Sequence, residues 1–142
     1  MVAYNFQPMF EPQIVALEKL QTLRAQRKRH ARPGEPVQLY CDQRTVHCRK
    51  LLDPDPLCLR VRDVEITVND LLPGAVASIA IDGISLDRTE IERFAIADGF
   101  APKRVNHFGL SGSTARENMG AFWLQRHGTG RFPMVLVQWG PT

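Results

Sequence analysis

The chain has 142 residues, 44% of them hydrophobic and 23% charged, with a formal net charge of +3. That composition is that of an ordinary soluble protein, and at about 150 residues folding buries roughly 68–70% of the unfolded surface, enough for an independent core. No apolar run approaches the ~20 residues needed to span a bilayer, and MVAYNFQPMFEP lacks the basic start and unbroken apolar stretch of a signal peptide. The expectation is a single domain over residues 1–142, resident in the cytoplasm.

In chain order, Pro12 to about Leu20 predicts a short helix, with Pro12 in the first turn and Ile14, Leu17 and Leu20 on one face. The period changes at Thr22-Leu23-Arg24, which starts a strand. Alternation then sends Leu23 to the core and leaves Thr22 and Arg24 toward a cleft. Residues 25–36 form a loop that turns at Pro33-Gly34. Val37 to Tyr40 and His47 to Leu51 read as strands, and Asp53-Pro54-Asp55-Pro56 cannot sit inside one.

Leu57 to Val68 alternates in two phases, which predicts a bulge near Arg62-Asp63. Val76 to Ile81 is another strand, and Asp82-Gly83 makes a tight turn into Ile84. Ser85 or Asp87 can cap a helix carrying Ile91, Phe94 and Ala95, which stops at Asp98-Gly99. Residues 100–113 read as an irregular loop. Thr114 to Glu117 fits a capping box for a helix through Met119, Phe122, Trp123 and Arg126 to Gly128. Phe132 to Trp139 closes the chain as an apolar strand. Strands in a run with segregated helices mean α+β: a small barrel of about five to six mostly antiparallel strands with two to three flanking helices.

Cys41, Cys48 and Cys58 are an odd set without the paired spacing of structural zinc sites, so free thiols buried in strands are expected and no metal or cofactor is implied. Residues 19–62 hold eleven of the eighteen Lys and Arg against four acidic residues. The field is polarised toward the first half, which favours an anionic partner. Within it, Lys19, Thr22 and Arg24 fall in six residues and lead into Arg27, Lys28, Arg29, His30 and Arg32. A hydroxyl beside an amine can carry acyl transfer, and a cationic loop beside them can hold phosphates.

These residues resemble the ASCH domain family of the PUA-like superfamily, in particular small stand-alone members from bacteria and their phages. The likeness covers most of the chain. It rests on Lys19, Thr22 and Arg24 at a helix-to-strand transition, and on Arg32-Pro33-Gly34-Glu35 before the strand Val37-Gln38-Leu39-Tyr40. It extends to Ala95-Ile96-Ala97-Asp98-Gly99, to the final helix with Phe122-Trp123, and to the last apolar strand. The resemblance implies a PUA-like barrel that binds RNA, a nucleoside or a nucleotide in a cleft. It further implies, for one branch, an amidohydrolase acting on cytidine acylated at the exocyclic amine. Ribonuclease activity also goes with the family. Carried over by position, the hydrolase residues are Lys19, Thr22 and Asp98. Asp98 departs from the family's glutamate by one methylene, and Ala16-Leu17-Glu18 stands where a glycine is usual.

Three functions remain open at this stage. As a hydrolase, Thr22 attacks the amide carbonyl, Lys19 takes its proton, and Asp98 orients the lysine. As a non-enzymatic RNA-binding module, Arg24, Arg27, Lys28, Arg29 and Arg32 contact phosphates while Tyr40 or Trp123 stacks on a base. As a metal-independent ribonuclease, the chain would use His30, with His47, His107 and His127 as the other histidines.

Overall fold

A computed structural model describes residues 2–71 and 74–140. The architecture is α+β, with eight strands among the described residues in two mostly antiparallel sheets. One sheet has the order β1-β3-β4, from β1 (Val2–Phe6), β3 (Val37–Cys41) and β4 (Arg49–Lys50). The other runs β2-β8-β5-β6-β7, from β2 (Gln21–Ala25), β8 (Gly130–Gly140), β5 (Leu57–Val68), β6 (Val76–Ile81) and β7 (Ile84–Ser85). The described strands do not close into the expected barrel. An isolated bridge, Pro36 to Leu57, joins the sheets at one corner, and β7 ends the larger sheet as an edge.

β1 was not expected, although Val2, Tyr4 and Phe6 alternate inward as a strand requires. It pairs parallel with β3, from Val2 opposite Val37 to Phe6 opposite Cys41. A one-turn 3-10 segment at Pro8–Phe10 leads into α1 (Glu11–Val15). The expected helix through Leu20 therefore stops five residues early. The Gln13 carbonyl accepts both the Glu18 and Lys19 amides, at 2.8 and 3.0 Å, and Leu17 turns left-handed at φ 61°. Residues 16–20 are thus a short connector that carries Lys19 to the foot of β2.

β5 is one strand of 12 residues, but its irregularity against β8 falls between Cys58 and Arg60, with a second against β6 at Thr67/Val68, not at Arg62-Asp63. Leu59 is the extra residue and its side chain lies across Gly140, where a Cβ would meet it at 2.9 Å. Leu57 and Leu59 are consequently exposed while Val64, Ile66 and Val68 are buried. The stretch at His47–Leu51 contributes only two strand residues, and Cys48 is exposed; Cys41 and Cys58 are buried strand thiols as expected. Asp82 and Gly83, both at positive φ, form the two-residue turn between β6 and β7.

Asp87 caps α2 (Arg88–Ala97) through a full capping box with Glu90. Residues 100–113 are less irregular than expected, containing α3 (Pro102–Val105) and a 3-10 turn at Asn106–Phe108. Thr114 caps α4 (Ala115–His127) by accepting from Glu117 N at 3.1 Å, while the Glu117 carboxylate returns to Ser113 N. Glu92 of α2 accepts the Ala115 and Arg116 amides at 3.0 and 2.9 Å, so α2 and α4 are tied together at that end. No helix among the described residues is long and apolar enough to cross a membrane.

Candidate functional site

A cavity of about 400 Å³ opens between the end of β1, strand β2, the turn after α2 and one face of α4. Lys19, Thr22, Arg24 and Asp98 all line it. Chain geometry explains the convergence. The connector after α1 delivers Lys19, alternation along β2 puts Thr22 and Arg24 on one face, and the C-terminus of α2 delivers Asp98. Gly99 makes room for it: its φ is +104° and a Cβ there would meet Phe10 at 2.7 Å and the Lys19 side chain at 3.1 Å.

Lys19 is 3% exposed and Asp98 5%. The Lys19 ammonium donates to the Asp98 main-chain carbonyl at 2.5 Å, and its Nζ lies 3.7 Å from Asp98 Oδ1. It also sits 4.6 Å from the centre of the Phe10 ring. Burial pushes the Lys19 amine down; the Asp98 carboxylate opposes this and Arg24 adds to it. Burial likewise pushes the Asp98 carboxyl up, against Lys19, the Gln21 hydrogen bond and Arg24. Both directions have one cause: a dry site disfavours the charged form of each group.

Thr22 is buried, and Arg24 Nε donates to its Oγ1 at 3.1 Å. Arg24 is itself fixed by a 2.6 Å bond to Asn5 O and lies 4.8 Å over Phe6. Burial lowers the Arg24 guanidinium to about 10, which leaves it charged at neutral pH. It therefore acts as a cationic wall of the cavity, holding the hydroxyl. Phe6, Phe10, Phe100, Phe122 and Trp123 form the apolar walls. Phe10, Phe100 and Phe122 pack edge to face or tilted, with centroids 5.2 to 6.2 Å apart.

The basic loop starts at Ala25 on the cavity rim but does not itself line it. Arg27 folds back 4.5 Å over Tyr4 and donates to Arg29 O at 2.9 Å, and Arg29 pairs with Glu35. Lys28 and Arg32 are exposed, with no acidic side chain in salt-bridge range among the described residues. Tyr40 does not belong to the cavity. Val37, Leu39 and Cys41 take the buried face of β3, so Tyr40 lies on the opposite face, paired in register with Lys50. Trp123 does line the cavity, with the His127 ring tilted against it, centroids 4.5 Å apart. His127 is thus part of the cavity wall.

His30 is engaged at both ring nitrogens. Nε2 donates to Ala25 O at 2.9 Å, which leaves Nδ1 to accept from Tyr4 Oη at 2.9 Å, while Tyr4 Oη accepts the Ala31 amide at 3.2 Å. Burial lowers its pKa, so the ring is a neutral clip that pins the loop to β1. Neither nitrogen is free to move a substrate proton. No group of three or more potential metal-ligating side chains occurs among the described residues.

Sequence reasoning missed Gln21, Arg126 and the aromatic wall at Phe10 and Phe100. Arg126 had a readable signal, since it stands four residues after Phe122 on one helix face and lies 4.8 Å over that ring. Gln21 had none: a strand glutamine reads as solvated, yet it is 6% exposed. No protein-family model, curated protein or solved structure matches the chain, so the reading of this site rests on its own residues.

Proposed function

We propose that the chain is an ASCH-type, PUA-like protein of the cytoplasm that binds a nucleoside-bearing ligand, RNA or a free nucleotide, in this cavity. We further propose that Lys19, Thr22 and Asp98 hydrolyse there the amide of a cytidine acylated on its exocyclic amine. The observation that carries the reading is the convergence of Lys19, Thr22 and Arg24, from residues 19–24, with Asp98, from the C-terminal end of α2, on one aromatic-walled cavity. About 400 Å³ lies within the ~300–1,000 Å³ common for small-molecule sites. Aromatic walls suit the flat face of a base, and Arg24 and Arg126 suit its phosphate or carbonyl oxygens.

In the chemical step, Thr22 Oγ1 attacks the acyl carbon and Lys19, with its amine lowered by burial, takes the hydroxyl proton. The carbon–nitrogen bond then breaks, and the exocyclic nitrogen leaves with that proton as the amine of free cytidine. Water hydrolyses the resulting threonine ester, releasing the carboxylic acid and restoring the hydroxyl. Asp98 shares the proton of Lys19 through the cycle, and Arg24 holds the attacking oxygen.

A second reading, a binding module without chemistry, is favoured by one feature. The short bond of Lys19 goes to the Asp98 main chain and not its carboxylate, and Thr22 Oγ1 is held by Arg24. The shorter aspartate leaves the carboxylate at 3.7 Å. Incubation with N4-acetylcytidine separates the two. The hydrolase releases cytidine and acetate in equal amounts and loses this with Lys19→Ala. Release that survives Lys19→Ala excludes the mechanism, and binding without release leaves the module.

A further inference from the structure

The buried amide of Gln21 is a polar group beside the Lys19–Asp98 pair that the chemistry above does not use. It opens β2 and is 6% exposed. Its Nε2 donates to Asp98 Oδ1 at 3.4 Å, the oxygen that also lies 3.7 Å from Lys19 Nζ. Its Oε1 accepts from Gln138 Nε2 at 3.5 Å. Gln21 and Gln138 stand directly opposite one another in the β2–β8 register. The Asp98 contact fixes which way the amide points: with the amide reversed, oxygen would face carboxylate oxygen. An apolar side chain would fill this position with less desolvation, so a glutamine here is explained by the use of its N–H.

Resting on the reading of Lys19 and Asp98 as a proton-handling pair, we propose that Gln21 is a positioning residue. Its N–H keeps the Asp98 carboxylate charged and turned toward Lys19, and Gln138 holds the amide in register. The charged groups facing Asp98 are Lys19, from the connector, and Arg24, from β2. On the other side of β2 a small cavity is lined by Glu18, Gln21, Arg60 and Gln138, and Glu18 there is engaged by Arg104. A donor to a carboxylate stabilises its ionised form. Removing the Gln21 N–H therefore weakens the state in which the pair has lost its first proton, and the lower titration step of the pair moves up.

The test is a carbon-detected NMR titration of the Asp98 carboxyl in the full chain, for the parent, Gln21→Met and Gln138→Met, alongside the pH profile of N4-acetylcytidine hydrolysis. The Asp98 midpoint should rise by about one pH unit in Gln21→Met and by less in Gln138→Met, with the acid limb of hydrolysis moving alike. An unchanged Asp98 midpoint in Gln21→Met overturns the inference. If that variant does not fold, an unchanged midpoint in Gln138→Met does so. A shifted midpoint in a chain that hydrolyses nothing removes the hydrolase reading and leaves the effect of Gln21 on Asp98 standing.

Discussion

Replacing Lys19 by methionine removes the ammonium while keeping an unbranched side chain in a site only 3% exposed. Asp98 is then left buried with the long Gln21 bond and the more distant Arg24 charge. Removing one partner of a buried pair costs roughly 3–5 kcal/mol, and the lower end applies because the orphaned carboxyl can take up a proton. That escape sets the pH dependence. Burial already raises Asp98 above its ordinary value of 3.8, and without Lys19 it rises further. A carboxyl raised in the folded state binds more protons folded than unfolded, so stability falls as pH rises from about 4 through the folded value. Lys19→Met should therefore lose most at pH 7.5 and least near pH 4.5, measured by urea denaturation at both. Adding Asp98→Asn should flatten that dependence. A cost below about 1 kcal/mol that is equal at both pH values would refute a buried, charged pair.

The cationic loop and its histidine clip give separate predictions. In single-stranded RNA binding, Lys28→Ala and Arg32→Ala should each reduce the salt slope by about 0.7 log units per log salt, and Arg29→Ala by less, because Arg29 is already paired with Glu35. Slopes unchanged from the parent in all three variants would show that the loop does not meet phosphates. His30 is neutral in the fold because burial lowers it, whereas the unfolded chain takes up its proton near 6.5. The unfolded state then binds more protons, so stability is present above that value and is lost as pH falls through it. The thermal midpoint should drop between pH 7.5 and 5.5, and His30→Asn should shrink that drop; His127, lowered by burial and Arg126, accounts for a remainder. No change on replacing His30 would rule out the clip.

How far the sequence could be read depended on whether the signal was local. The Asp87 cap of α2, the Asp82-Gly83 turn, the long β5 strand and the final strand β8 are local, and each occurs where expected, whereas the reciprocal capping box expected at Thr114–Glu117 is found on α2 instead, the Glu117 carboxylate going to Ser113 N. β1 had a local signal in Val2, Tyr4 and Phe6, but its parallel partner lies more than thirty residues away and no spacing announces that pairing. The early end of α1 depends on the Gln13 carbonyl, whose side chain is in turn anchored to Gly99 O at 3.0 Å by a contact 86 residues long. In the site, the shared face of Thr22 and Arg24 followed from strand alternation. The burial of Lys19 against Asp98, and of Gln21 behind them, comes from the C-terminal end of α2 meeting the foot of β2, and β-periodicity carries no trace of it. Tyr40, by the same alternation, lies half-buried on the face of β3 opposite Val37, Leu39 and Cys41, outside the cavity.

The most direct measurement is kcat/KM for N4-acetylcytidine in Lys19→Ala, Thr22→Ala and the double variant. If the lysine and threonine act as one unit, each single replacement costs at least ~100-fold and the double is no worse than either alone. Full activity in either single variant, or losses that multiply in the double, would contradict a Lys19–Thr22 mechanism in this cavity.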